Sequence, residues 1–323
     1  MERFWEPASK APPEHFASFP DLERLVVQVL YNRGIRTKDA VESFLGRRVA
    51  GDDPFQMQGM KRAVRRIRLA IQRGERIAVY GDFDADGVTS TAVLVEALHA
   101  LGAHVAPYIP NRVDEGYGLS AKGLNKIAAK GVSLVITVDC GIRAAEEVEH
   151  ATRLGLDVIV TDHHALPPVL PNAFAVVNPK QRDESYAFTE FAGVGLAFKL
   201  AQALILAHET APAGQPRAEI APDDLLDLVA LGTVADLAPL LGENRVLVSR
   251  GLPALNPPRR PGLRQLLASA RLRSDVVDCE TISFFLGPRL NAAGRIEHAE
   301  IAYRLLWAPD DGAAAELARK LEE

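Results

Sequence analysis

A chain of 323 residues with 48% apolar content has enough material for one large or two ordinary domains with filled cores. Two cysteines exclude a disulfide framework, and the first residues lack a signal peptide's apolar segment. No apolar stretch reaches the roughly 18 residues that cross a bilayer, so a cytoplasmic protein without a membrane partner is expected. The net charge of −5 makes no global argument for nucleic acid.

Residues 1–60 read as an N-terminal arm of short helices, with prolines at Pro7, Pro12, Pro13 and Pro20. From 61 to 206 the pattern alternates. It predicts helix 61–73, strand 77–80, helix 88–101, strand 104–109, helix 120–129, strand 133–138, helix 143–154, strands 156–161 and 174–178, and helix 194–207. Such alternation predicts an α/β fold, a mostly parallel sheet flanked by helices on both faces. A surface loop is expected over 211–222, then a helix from Asp223 through Leu231 and a break from Pro253 to Pro261. A helix over Ala313–Glu323 ends without a cap, so the molecule is expected to continue. The domain expectation is an arm (1–60), a main domain (61–250) and a helical connecting segment (251–323).

Charge is unevenly spread. Asn244–Ser274 holds seven arginines (Arg245, Arg250, Arg259, Arg260, Arg264, Arg271, Arg273) and no acid, which offers a phosphate-contacting surface. Lys61–Arg76 holds seven basic residues against Glu75 alone. There Val64, Ile67 and Ile71 mark a buried stripe, and the basic residues read as the solvated side of a helix.

Four apolar runs end in chemistry-bearing residues. Ile77–Tyr80 precedes Asp82-Phe83-Asp84-Ala85-Asp86-Gly87, Leu134–Val138 precedes Asp139, Val158–Val160 precedes Asp162-His163-His164, and Phe174–Val177 precedes Asn178-Pro179. Parallel sheets take their ligands at the strands' carboxyl ends, so these acids and imidazoles converge on one edge. Carboxylates crowded there repel unless cations bind between them, and the mixture of oxygen with imidazole suits Mn²⁺, Mg²⁺ or Zn²⁺. Asp236, in Leu231-Gly-Thr-Val-Ala-Asp236, is a further acid with apolar flanks.

Several familiar motifs do not fit. An EF-hand needs Glu at 93, where Val93 stands; no Gly-Lys-Ser/Thr follows as in a P-loop; and the glycines are wrong for a dinucleotide fingerprint. A phosphorylated aspartate of the haloacid-dehalogenase kind has no use for Asp162-His163-His164. Adjacent histidines at a strand end leave the chain on alternate sides, so one can bind metal while the other faces substrate.

The order Gly81-Asp82-Phe83-Asp84-Ala85-Asp86-Gly87, Val138-Asp139-Cys140-Gly141, Thr161-Asp162-His163-His164 and Gly232-Thr-Val-Ala-Asp236 resembles the DHH phosphoesterase superfamily. Gly287-Pro-Arg289-Leu-Asn291-Ala-Ala-Gly294-Arg295 looks like its RecJ branch of single-strand-specific 5′→3′ DNA exonucleases. The resemblance covers about residues 75–323 and implies two divalent cations, Mn²⁺ or Mg²⁺. It assigns Asp82, Asp84 and Asp139 to one ion and Asp86, Asp139, His163 and Asp236 to the other, with Asp139 bridging. Other branches carry histidine where Tyr80 stands, and its role passes to Asp82. Members of the branch also carry a DHHA1-type second domain, here absent or only begun.

The resemblance implies hydrolysis of single-stranded DNA to mononucleotides in DNA repair and recombination. Two cations about 4 Å apart would share and activate a water for in-line attack on phosphorus. Asp139 and His164 are the catalytic candidates, with His164 contacting the scissile phosphate or protonating the leaving group. Arg112 and Tyr117 in the loop Pro110–Gly118, together with Arg289 and Asn291, are candidate substrate contacts, and Gly287 and Gly294 would admit the backbone to phosphate. With 6% aromatic residues no extended stacking platform is expected. The chain is expected to be a monomer, with single-strand-binding protein a candidate partner. Rival readings are a phosphodiesterase of short oligonucleotides, cyclic dinucleotides or pyrophosphate, and a non-catalytic replication scaffold that has lost its ligands.

Overall fold

A computed structural model describes residues 4, 6–46, 53–210, 218–270, 276–296 and 299–322, apart from the side chains of 113 and 294–296. Its centre is a five-stranded sheet in the order β2-β1-β3-β4-β5, formed by Arg76–Gly81 (β1), His104–Tyr108 (β2), Val132–Val138 (β3), Asp157–Thr161 (β4) and Ala175–Val177 (β5). All four pairings are parallel. Val- and Ile-rich runs suit a sheet covered on both faces, and the strands split their side chains accordingly. Ile77 and Val79 of β1, with Leu134, Ile136 and Val138 of β3, enter one core layer; Ala78 and Tyr80, with Val135, Val158 and Val160, enter the other.

The helices follow in chain order. The arm holds α1 (Pro13–Ala17), α2 (Arg24–Asn32) and α3 (Lys38–Phe44), which pack around their own small cluster of Phe19, Val27, Leu30, Ile35 and Val41. Next come α4 (Met60–Gln72), α5 (Ala85–Ala100), α6 (Arg112–Glu115), α7 (Ala121–Ala129), α8 (Ala145–Arg153) and α9 (Gly193–Glu209). The C-terminal layer comprises α10 (Leu226–Ala235), α11 (Gly242–Gly251), α12 (Pro261–Ser269), α13 (Cys279–Thr281), α14 (Gly287–Ile296), α15 (Ala299–Leu306) and α16 (Asp311–Glu322). Helices α4, α5 and α9 cover one sheet face and α7 and α8 the other. A single core cluster runs from Met57 to Ala318, so the helices beyond 250 share it with the sheet. No helix among the described residues is long and apolar enough to cross a membrane.

The topology locates the site before any side chain is considered. After β1 the chain crosses to β2 on one side and then returns to β3 on the other. The switch point, where a crevice opens at the carboxyl ends, therefore lies between β1 and β3. Asp82 and Asp139 follow those two strands.

Two expectations need correction. The helix expected from Asp223 through Leu231 is a 3₁₀ turn (Pro222–Leu225) leading into α10, which runs past Gly232 to Ala235. Gly232 is a packing residue, because a Cβ there would lie 2.1 Å from Thr89 Oγ1 on α5. The arginine cluster is not a free phosphate surface. Arg245 lies over the Phe44 ring, Arg250 pairs with Asp223, Arg260 is held by Glu96 and Asp227, and Arg264 by Asp311. Arg259 lies 3.7 Å from Asp224, while Arg271 and Arg273 fall outside the described residues. The acids that neutralise this run are distant in sequence, which is why it looked unpaired. Within the expected loop 211–222, residues 211–217 also lie outside the described set.

Candidate metal centre

The acids arrive from separate elements. Asp84 caps α5, its Oδ1 accepting from Gly87 N at 2.9 Å, and places Asp86 in the first helical turn. Asp86 is buried, and its two oxygens accept from Gly193 N (2.6 Å) and Val194 N (2.8 Å) at the start of α9. Paired backbone donors at a helix N-terminus are a natural carboxylate seat. Asp139 ends β3 with φ of 59°, a left-handed conformation that is costly for a residue with a side chain. The turn is held by Thr137 Oγ1 donating to Cys140 O at 2.8 Å. Asp236 caps the far end of α10 and is followed by Leu237, also left-handed at φ 60°.

These groups meet. Ligand atoms of Asp82, Asp84 and Asp139 lie within 4.8 Å of one another, as do those of Asp86, His163 and Asp236. His163 Nε2 is 3.0 Å from Asp139 Oδ1 and 3.9 Å from Asp86 Oδ2, which joins the two groups. The first group has the membership expected for one ion and the second lacks Asp139 of the set expected for the other, while Asp139, His163 and His164 form a third group of ligand atoms within the same distance. Tyr80 stays out: its ring packs beside Tyr108 in the other core layer, and its hydroxyl donates to Gly118 O at 2.9 Å.

Divalent cations fit the donor set. Asp82 Oδ1 is a buried oxygen without a hydrogen-bond donor, and buried Asp139 Oδ1 has beside it the His163 ring nitrogen at 3.0 Å but no aligned donor, a costly state that a cation relieves. Burial and the Asp84 charge push Asp82 up to about 7. Asp236 rises to about 6 from burial and Asp84. Asp86 and Asp139 are driven well above the usual carboxylate range by complete burial, then by Asp236 and Asp84 for the former and by Asp86, Asp84 and Asp82 for the latter. Burial lowers His163 to about 4, so its ring is neutral at pH 7, the form that ligates metal. An oxygen-rich set with one imidazole suits Mn²⁺ or Mg²⁺.

His164 is differently placed. Its Nδ1 lies 2.7 Å from Asp162 Oδ1, which also accepts from His164 N (3.0 Å), while Asp162 Oδ2 takes Ile142 N at 2.9 Å. The Asp162 hydrogen bond raises His164, and donors around Asp162 hold it below the usual carboxylate range despite its burial. Asp162 therefore orients an imidazole instead of joining the acids. Tyr117 Oη lies 3.4 Å from His164 Nε2, and Arg112 stands 5.1 Å over the Phe83 ring, which meets Tyr117 edge to face. A cavity of about 260 Å³ opens beside them, lined by Tyr117, Cys140, Ile142, Arg143, Glu147 and His164. Arg112 and Tyr117 thus reach the site, and Phe83, flanked by the acids, completes a small aromatic edge that composition alone concealed.

Arg289 and Asn291 both have partners within the chain. Arg289 Nε pairs with Glu322 at 2.5 Å and its Nη1 donates to Phe285 O at 3.0 Å. Asn291 Oδ1 accepts from Ala85 N at 2.7 Å, so its carbonyl serves the acidic loop. Gly287 is a packing residue, since a Cβ there would sit 3.2 Å from Ala235 Cβ. The side chains of 294 and 295 lie outside the described set.

Lys180 and Gly193 went unread in the sequence, and Asn178 was read only as the end of a strand. Lys180 Nζ donates to His163 O at 2.6 Å and Asn178 Nδ2 to His164 O at 3.1 Å, so the chain after β5 clamps the histidine turn. Gly193 leaves no room for a side chain: a Cβ would lie 2.6 Å from Asp139 Cβ. Gly193-Val-Gly195 opening an apolar run was the available signal of a close helix N-terminus. Gly193→Ala is expected to cost about 1–3 kcal/mol by overpacking and to weaken Mn²⁺ binding, measured by thermal melting and calorimetric titration.

Residues 76–233 match the DHH family, N-terminal domain. Within it, similarity over most of the chain is to RecJ. The chain is 46% identical over 300 residues to single-stranded-DNA-specific exonuclease RecJ of Bacillus subtilis, covering 93% of this chain and 36% of that protein. For the Escherichia coli protein of that name the identity is 41%, covering 94% and 52%. The crystal structure of RecJ in complex with Mn²⁺ from Thermus thermophilus superposes with a TM-score of 0.79 at 33% identity, over 98% of this chain and 44% of that one. The chain therefore spans between about a third and a half of the length of these relatives.

Proposed function

We propose that the chain is the metal-dependent nuclease part of a RecJ-type enzyme that degrades single-stranded DNA from the 5′ end to mononucleotides, in DNA repair and recombination. The observation that carries this reading is the pair of acid clusters joined through His163 and Asp139 at the β1/β3 switch point. In this reading Asp82, Asp84 and Asp139 hold one Mn²⁺ or Mg²⁺, and Asp86, Asp139, His163 and Asp236 the other. Two ions there would supply an activated water and neutralise charge on the phosphate.

The protein's own groups do the rest. His164, held by Asp162, presents Nε2 to the side of the cavity and can hydrogen-bond the scissile phosphate or protonate the leaving oxygen. Arg112 supplies a cation at the mouth, and Phe83 and Tyr117 offer faces or edges to an unpaired base. A scaffold that has lost its ligands is disfavoured by the presence of all the acids and both histidines in the sequence, in groups that could hold an ion. The same reading includes a monomer in the cytoplasm with single-strand-binding protein as a partner, and the division into arm (1–60), catalytic domain (61–250) and helical segment (251–323).

The test is Mn²⁺-dependent digestion of 5′- and 3′-labelled single strands, with Asp139→Ala as control. Mononucleotides released from the 5′ end are expected. Release from the 3′ end, or equal cutting of cyclic dinucleotides, counts against the assignment. His164→Ala should lower kcat by about 10²–10⁴-fold while changing Mn²⁺ affinity by much less, as a group acting on protons would. Comparable losses in both would remove His164 from that role.

A further inference from the structure

We propose that Asn291 is a positioning residue for the metal-binding acids, and that through it the C-terminal helix α14 is coupled to metal occupancy. The first N–H groups of a helix have no acceptor within it. At the start of α5, Gly87 N is satisfied by Asp84, but Ala85 N is satisfied by Asn291, 206 residues away. Ala85 lies between Asp84 and Asp86, one from each acid cluster. Without Asn291 the acceptors nearest to that N–H along the chain are those two carboxylates, and an oxygen drawn onto it is an oxygen withdrawn from a cation.

Helix α14 is built to hold this contact. Leu290 and Ala293 anchor its buried side, and a five-residue π segment (Ile282–Leu286) sets the phase in which it begins. Its first residue, Gly287, lies against Ala235, which directly precedes Asp236. One helix therefore touches the carriers of Asp84 and Asp86 at the start of α5 and of Asp236 at the end of α10. Coupling of this kind is reciprocal: what α14 does for the ions, the ions do for α14.

The inference rests on the metal-centre reading and is tested so that the two can fail separately. Mn²⁺ is titrated calorimetrically into the whole chain, into Asn291→Leu, which keeps bulk without an acceptor, and into Asn291→Asp, which keeps the acceptor. Asn291→Leu should bind about tenfold or more weakly, the range for loss of a group that orients a ligand, with Asn291→Asp at or above the parent. Hydrogen exchange should slow over 287–293 when Mn²⁺ is added to the parent and not over 261–269. Parent-like affinity in a folded Asn291→Leu overturns the inference and leaves the metal centre standing. Failure of the parent itself to bind Mn²⁺ overturns both. If Asn291→Leu does not fold, unchanged exchange over 287–293 in the parent overturns the inference.

Discussion

Asp139→Asn is expected to lose at least about 100-fold in Mn²⁺ affinity, with activity falling in parallel, and yet to melt higher than the parent when both are metal-free. The first half stems from position. Asp139 stands between the donor groups, a member of one with Asp82 and Asp84 and 3.0 Å from His163 of the other. Removing an outer-sphere partner of a metal site already costs 10–100-fold in affinity, so with Asp139 a ligand to both ions, as proposed, its loss should exceed that range. The second half stems from the cost of the empty site. At pH 7.5 the metal-free protein must hold Asp139 buried among Asp86, Asp84 and Asp82, which is what raises it so far. Asparagine keeps the shape, removes the charge, and tolerates the left-handed φ of 59° better than any other residue with a side chain of that size. A gain of about 2 °C or more in the metal-free protein, the equivalent of roughly 1 kcal/mol, is the expected sign. Asp139→Ala separates the terms, since it removes the same charge but adds the cost of left-handed backbone and a void, and should melt below Asp139→Asn. A lower melting temperature for Asp139→Asn than for the parent would show that the carboxylates do not burden the apo fold.

The strands and their acids were legible because each signal is local. A Val- and Ile-rich run of strand length leading to Asp says both where a buried strand stops and what stands at its end, and three such runs, with a fourth ending at Asn178, carry the sheet edge. The spacing Asp82-x-Asp84-x-Asp86 reads as a loop feeding a helix, as it is. What stayed hidden depends on pairing across distance. Nothing in the neighbourhood of Asn291 reveals that Ala85 N takes its carbonyl. The arginines of 245–264 looked free because their acids, Glu96, Asp223, Asp227 and Asp311, lie elsewhere in the chain. Asp162 could be read as part of an acid–imidazole cluster, but only geometry shows that it spends its oxygens on Ile142 N and His164. Gly232 shows the same limit in backbone form: glycine ends many helices, and here it lets α10 approach Thr89 of α5.

The metal-free protein is expected to lose stability as pH rises from 6 to 8, and Mn²⁺ is expected to reverse that slope. Asp82, pushed to about 7, and Asp236, pushed to about 6, hold protons in the folded state that the unfolded chain, near 3.9, has released. Each therefore contributes stability that is fully present below its unfolded pKa and is lost as pH climbs through the folded value. Asp86 and Asp139, shifted in the same direction, add to the trend. His163 runs the other way. Lowered to about 4, it costs stability as pH falls below its unfolded value near 6.5, so it opposes the acids mainly at the lower edge of the window. His164, raised by Asp162, loses its contribution as pH climbs and so reinforces them. A bound cation needs these carboxylates ionised, so binding releases protons and tightens with pH. At Mn²⁺ a hundredfold above Kd, each site adds about 2.7 kcal/mol. Melting curves at pH 6, 7 and 8, with EDTA and with Mn²⁺, should therefore diverge towards alkaline pH. Parallel curves would mean that cations and protons do not compete for these oxygens, and the assignment of the buried acids as ligands would fall with that result.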